Sequence, residues 1–180
     1  MTRLVVLVTG SRLYDDAWMI KRVLDQVAAD ASDRRADELV IRHGACYPNR
    51  DPRTGRIPAR SADWLAHLWI ARFSLDQPIR IIEQARPAQW EAPCRAACQT
   101  RTHKDRTGNH RRPRGTTTYC PMAGVHRNRD MVLEDPRPDL GVAFLRDNSS
   151  GTRNCIKTMR EFGIQVDEIP YNLTESPAPT

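Results

Sequence analysis

The chain has no long apolar run. Its longest aliphatic stretch is Leu4-Val5-Val6-Leu7-Val8, far short of the roughly 18 residues that a membrane-crossing helix needs. That stretch is also too short for a secretory signal, and Thr9-Gly10-Ser11-Arg12 follows it in place of a small-residue cleavage site. A soluble, cytoplasmic protein with no membrane partner is expected. Proline and glycine number only 13 and 9, which excludes collagen-like and low-complexity classes. Cysteine is sparse and odd in number, at five, so thiols or metal ligands fit better than a disulfide framework. Lysine is nearly missing: of 28 cationic side chains, only Lys21, Lys104 and Lys157 are not arginine.

What is present is enough for one domain. The 180 residues have 39% apolar content, above the disordered class, and leave some thirty residues for insertions. The net charge is +6. Arginine's planar fork suits phosphates, but a GC-rich genome produces the same skew, so nucleic acid stays one candidate partner among others.

Hydrophobic patterning predicts alternating strands and helices. Leu4 to Val8 reads as a strand buried on both faces. Asp15 or Asp16 then caps a helix with Trp18, Ile20, Val23, Leu24 and Val27 at helical spacing. Leu39-Val40-Ile41 is a second strand, and Tyr47 to Arg60, with three prolines, is a long loop. Ser61 caps a helix burying Trp64, Leu65, Leu68, Trp69 and Ala71, and Pro78 to Ile82 is a third strand. Cys94 to Tyr119 has almost no aliphatic content and reads as a basic insertion, about 93–120, with no apolar core of its own. Pro121 opens a helix through Arg127, Met131 and Leu133. A fourth strand, Leu140 to Leu145, precedes Ser149-Ser150-Gly151-Thr152 and a helix with Ile156 and Met159. Ile164 to Ile169 is a fifth strand, and the polar tail 173–180 is expected to fray. The expectation is one Rossmann-like α/β domain over 1–172, with a doubly wound parallel sheet of about five strands.

Such sheets bind ligands at the carboxyl ends of their strands. Thr9-Gly10-Ser11-Arg12, His43-Gly44-Ala45 and Ser149-Ser150-Gly151-Thr152 all follow strands. Glycine lets a backbone approach a phosphate, and free N–H groups at a helix start favour its charge. Any one such turn is also a common structural joint.

These segments resemble one known family in their order along the chain. They are joined by Ser61-Ala62-Asp63-Trp64-Leu65-Ala66, Pro87-Ala88-Gln89-Trp90 and Ala123-Gly124-Val125-His126-Arg127-Asn128-Arg129-Asp130-Met131. The resemblance, over most of residues 3 to 170, is to the SLOG superfamily in its small YspA-like branch. It implies a Rossmann-like domain that binds a nucleotide or nucleotide-derived ligand in a sensing or regulatory role. The branch is frequent in actinobacteria and their phages, a source that the arginine-rich composition fits. By the same resemblance Gly10, Ser11 and Arg12 would make the first phosphate or ribose contacts. His43 and Gly44 would line the floor, and Arg127, next to Asn128, would reach a phosphate. Ser150, Gly151 and Thr152 would close on it from the helix start, with Asp63 among the lining residues. Read without the resemblance, Arg127 is equally a solvated helix charge and His43 a satisfied strand-end histidine. Asp63 is equally a first-turn carboxylate favoured by the helix dipole.

The wider superfamily holds the LOG phosphoribohydrolases, which act on nucleoside monophosphates and usually dimerise, so a homodimer is conceivable here. Their Arg-Lys-x-x-Met signature is matched by Arg127 and Met131. Their Gly-Gly-x-Gly-Thr-x-x-Glu turn is degenerate here, with Gly151-Thr152 kept and Cys155 in the place of the catalytic Glu. A thiol cannot do that carboxylate's work, so the enzyme reading ranks below binding. A third reading is a nucleic-acid-binding module carried by Arg101 to Arg114.

Cysteine and histidine concentrate in the insertion, at Cys94, Cys98, His103, His110 and Cys120. Three thiolates and one imidazole suit a tetrahedral structural zinc site. Either histidine completes the set; relatives with a similar Pro-Cys-x3-Cys stretch imply His110. Cys46 and Cys155 read as small buried residues.

Overall fold

Val5 to Val8, Leu39 to Ile41 and Val142 to Phe144 are buried on both sides of the chain, as strands covered by helices on both faces must be. In the computed structural model, which describes residues 2–96, 98, 110 and 118–171, they form the middle of a parallel sheet. Its strands are β1 (Arg3–Gly10), β2 (Glu38–His43), β3 (Arg80–Ala85), β4 (Leu140–Leu145) and β5 (Gln165–Pro170). The spatial order is β3-β2-β1-β4-β5, parallel throughout. The helices are α1 (Ala17–Asp33), α2 (Ala62–Phe73), α3 (Ala123–Leu133) and α4 (Ser150–Glu161). The pleat divides the core in two. Val6, Val8, Val142 and Phe144 pack with α1 and α2, whereas Leu7 and Ala143 pack with α3 and α4. The fold is therefore α/β, Rossmann-like and doubly wound. No helix among the described residues is long and apolar enough to cross a membrane.

Local chemistry sets the helix ends. Asp16 accepts the Met19 N–H at 2.9 Å and starts α1. Ser149 accepts the Thr152 N–H at 3.4 Å and starts α4. At the other end of α3, Arg42 of β2 is fully buried. Its guanidinium donates to the carbonyls of Met131, Glu134 and Pro136 at 2.8, 3.1 and 3.1 Å. These are carbonyls at and just beyond a helix end that water would otherwise have to satisfy.

Several sequence expectations need correction. Trp18 is 46% exposed under the Arg22 guanidinium, because two positions along a helix carry it away from the stripe that buries Ile20 and Leu24. Ala71 is exposed as well; the buried face of α2 runs through Leu65, Ala66, Trp69 and Ile70. Ser61 precedes α2 but makes no side-chain cap. Its hydroxyl donates to the Cys46 carbonyl at 2.6 Å, and the Ala62 N–H goes to the Ser11 carbonyl. Pro121 lies two residues ahead of α3, with Met122 at the cap. β3 lies later than expected: its backbone pairs with β2 from Arg80 to Ala85, where Glu83 and Gln84 also bond the side chains of His43 and Arg42. His103, the rest of the basic run apart from His110, and the tail 173–180 lie outside the described residues.

Candidate functional site

The strand order reverses between β1 and β4, which is where a sheet of this type opens a crevice. A cavity of about 670 Å³ lies there. From the β1 turn and the start of α2 it takes Gly10, Ser11, Arg12 and Asp63. From the β2 end and α3 it takes Gly44, Arg127 and Asn128, and from the start of α4 Ser150, Gly151 and Thr152.

His43 is the one expected ligand contact that does not line this cavity. It is fully buried, with Nε2 against Glu83 Oε1 at 2.8 Å and Nδ1 accepting the Ala45 N–H at 3.1 Å. Leu39, Ile41 and His43 share one side of β2, the side facing α2, because strand side chains alternate. Glu83 also meets His67 of α2 at 2.8 Å. Burial pushes the Glu83 carboxyl up, but hydrogen bonds and charge from His67 and His43 outweigh it and hold the group below its usual range.

The remaining residues divide by what their polar atoms do. Asn128 is buried, with its amide donating to Gly151 O and Asn154 Oδ1, both at 3.1 Å, and its oxygen accepting from Arg127 Nε. It ties α3 to the start of α4 and orients the arginine. Ser11 Oγ accepts the Leu13 N–H at 3.2 Å and shapes the β1 turn. Gly10 is required by packing: a Cβ there would stand 2.4 Å from Ala62 Cβ and 2.8 Å from Phe144 O. Gly151, by contrast, faces open space.

Arg127 Nη1 bonds the Gly44 carbonyl and, at 3.2 Å, the Arg86 carbonyl. Its Nη2 bonds no protein atom among the described residues, so it remains a donor beside the cavity. Arg12 is exposed at the mouth. Asp63 lines the same cavity, buried, with one oxygen accepting the Cys46 N–H at 2.8 Å. Burial, then the Asp63 charge, pushes the Cys46 thiol up against the opposing pull of Arg12 and Arg127. At α4 the first N–H groups have no intrahelical acceptor, and the helix dipole adds positive potential. Ala45, Ser61 and Asp147 hold left-handed backbone around this edge, with φ of 49°, 80° and 58°. That conformation costs on the order of 1–2 kcal/mol per residue. The arrangement suits an anionic group held by backbone N–H donors and guanidinium, with a carboxylate placed to accept from hydroxyls.

Trp90, Arg146 and Asn148 also line the cavity and were not picked out from the sequence as contacts. A tryptophan isolated in a polar stretch, and the residues just before the Ser149 turn, were the available signals.

A second cluster gathers at the start of α3, where the Ala123 N–H bonds the Cys120 carbonyl. The sulfurs of Cys94, Cys98 and Cys120 are all within 4.8 Å of one another. His110 Nδ1 is 2.9 Å from Cys94 Sγ, and its Nε2 is buried with no partner among the described residues. Burial raises the Cys94 thiol, but hydrogen bonding from His110 and the other thiols brings it to about 7. Three clustered thiols of this kind could hold a metal. Among the described residues, a small apolar cluster of Cys98, Cys120 and Ala123, with Trp90 and Met122 against it, supports this region. Cys155, on α4, is fully buried within the core and does not line the cavity.

A scan against protein-family models finds no match for the chain, and a search of curated proteins finds none.

Proposed function

We propose that the sheet-edge cavity binds a nucleotide or nucleotide-derived ligand, in a sensing or regulatory role without turnover. One observation carries this reading. Gly10, Arg12, Gly44, Arg127 and the Ser150–Thr152 helix start line one cavity at the switch point of a parallel sheet. Its volume, about 670 Å³, lies within the range of small-ligand sites. The resemblance to the SLOG superfamily points the same way. Calorimetry against AMP and ADP-ribose tests it. Arg127→Ala should weaken binding by about 1.5–3 kcal/mol, the worth of a charge-assisted bond. Absence of binding by every phosphate-bearing nucleotide contradicts it.

Asp63 supports a second reading, a LOG-like phosphoribohydrolase, because it is a buried carboxylate on the cavity wall. With Cys155 sealed in the core, no free base is expected on incubation with AMP. Steady base release, abolished by Asp63→Asn, would favour this reading.

Zinc is the metal proposed for the thiol cluster, held by Cys94, Cys98, Cys120 and His110. Four protein ligands leave no open position, so its role is structural. It would fasten a segment too polar to fold by burial.

A further inference from the structure

We infer that the anion-binding cavity continues into an aromatic recess that receives a planar nitrogen heterocycle, the base of the bound nucleotide. The inference rests on the nucleotide reading and extends it to the part of the ligand that backbone turns cannot recognise. A second hollow of about 1000 Å³ adjoins the first and shares Arg12, Leu13, Cys46 and Trp90 with it. Its distinctive walls are Tyr47, after β2, and the stacked rings of Trp90 and Tyr119.

Both aromatic walls are held from behind, with their rings partly open. Tyr47 lies in the loop after β2 and is 36% exposed. Its ring centroid is 5.1 Å from Trp64 and 5.3 Å from His67. Burial, then the charge of Glu83, the carboxylate already bonded by His43 and His67, pushes the Tyr47 hydroxyl up to about 12. Trp90 and Tyr119 stack at 6.2 Å with planes only 16° apart. The Trp90 ring lies over Gly124, where a Cβ would meet it at an ordinary contact distance of 3.4 Å. The Trp90 carbonyl accepts the Cys120 N–H at 2.8 Å, which joins this wall to the thiol cluster.

All three aromatics pack on one side yet stay partly exposed where they line the hollow. Flat rings with one face backed and ordered present a stacking surface at little entropic cost. Every nucleobase offers a π face to such a surface. Arg12, common to both hollows, stands where a phosphate at one end and a base at the other would be joined.

Fluorescence titration of the full chain with AMP, ribose 5-phosphate and inorganic phosphate tests this. AMP should quench tryptophan emission and bind about tenfold or more tighter than ribose 5-phosphate, the ratio expected when one stacked base is lost. Trp90→Phe should remove most of the quench, since Trp90 lines the recess and Trp18, Trp64 and Trp69 do not. Tyr47→Ala should lower AMP affinity about tenfold and leave ribose 5-phosphate unchanged. The quench is read on the unaltered protein, so a variant that fails to fold does not remove the test. Equal affinity for AMP and ribose 5-phosphate, or AMP binding without quench, overturns the recess while leaving the anion site standing. Binding of none of the three probes overturns both.

Discussion

The Arg127 guanidinium rests on the Gly44 backbone, with Nη1 donating to the Gly44 carbonyl. A Cβ at residue 44 would lie 1.6 Å from Nη1, whereas one at residue 10 would meet Ala62 Cβ and a backbone oxygen at 2.4 and 2.8 Å. The first obstacle is the mobile end of a long side chain; the second is largely backbone. Gly44→Ala should therefore cost less than about 1 kcal/mol of stability yet weaken AMP binding by displacing Arg127, whereas Gly10→Ala should cost about 1–3 kcal/mol. Urea denaturation with calorimetry checks the contrast, and equal stability losses would refute it.

Arg42 and α3 make the second testable relationship. Arg42→Met removes a fully buried cation and strands the carbonyls of Met131 and Pro136. A loss of about 2–5 kcal/mol is expected, from about 1–3 kcal/mol for each carbonyl left unsatisfied, read as an earlier urea midpoint with unchanged slope. A loss under about 1 kcal/mol would mean that water replaces the guanidinium easily.

Glu83 gives a pH signature. Its carboxyl lies below the ordinary 4.5 in the folded protein because His67 and His43 bond it, despite the opposing push of burial. A depressed folded value contributes stability that is fully present above the unfolded value and is lost as pH falls through the folded one. The stability difference between the wild type and Glu83→Gln should thus shrink progressively as pH falls below the ordinary carboxylate value. Thermal melts from about pH 5 down to about pH 3 test this; a difference that grows over that range contradicts it.

Metal content is the fourth prediction. Protein purified without chelator should carry one zinc per chain, and Cys120→Ser should raise protease cleavage between Arg95 and Tyr119 while the sheet stays folded. Zinc can contribute about 10–16 kcal/mol in small structural sites, against a backbone entropy of about 1–2 kcal/mol for each residue ordered. Since Cys120 holds the Trp90 carbonyl, chelation should also weaken AMP binding. Metal well below one equivalent, with all these thiols freely titratable, rules the site out.

The sheet was legible in the sequence because β1, β2 and β4 are continuous aliphatic runs between polar turns, and parallel strands need little else. The cavity was legible through glycine and serine at strand ends. His43 could not be assigned this way, since adjacent strand residues face opposite sides, and whether position 43 or 44 opens to the cavity depends on where β2 ends. Arg42 was invisible for another reason. A buried cation looks like any other arginine until the carbonyls it satisfies, some ninety residues away, are folded against it. Tyr47 and Tyr119 escaped because isolated loop aromatics carry no periodicity.

Amide hydrogen exchange with and without AMP tests the central claim most directly. The account predicts slowed exchange in residues 9–13 and 149–153, with a smaller effect at residues 44–47, and loss of all three effects in Arg127→Ala. Protection confined to the basic insertion, or none at saturating AMP, would contradict it.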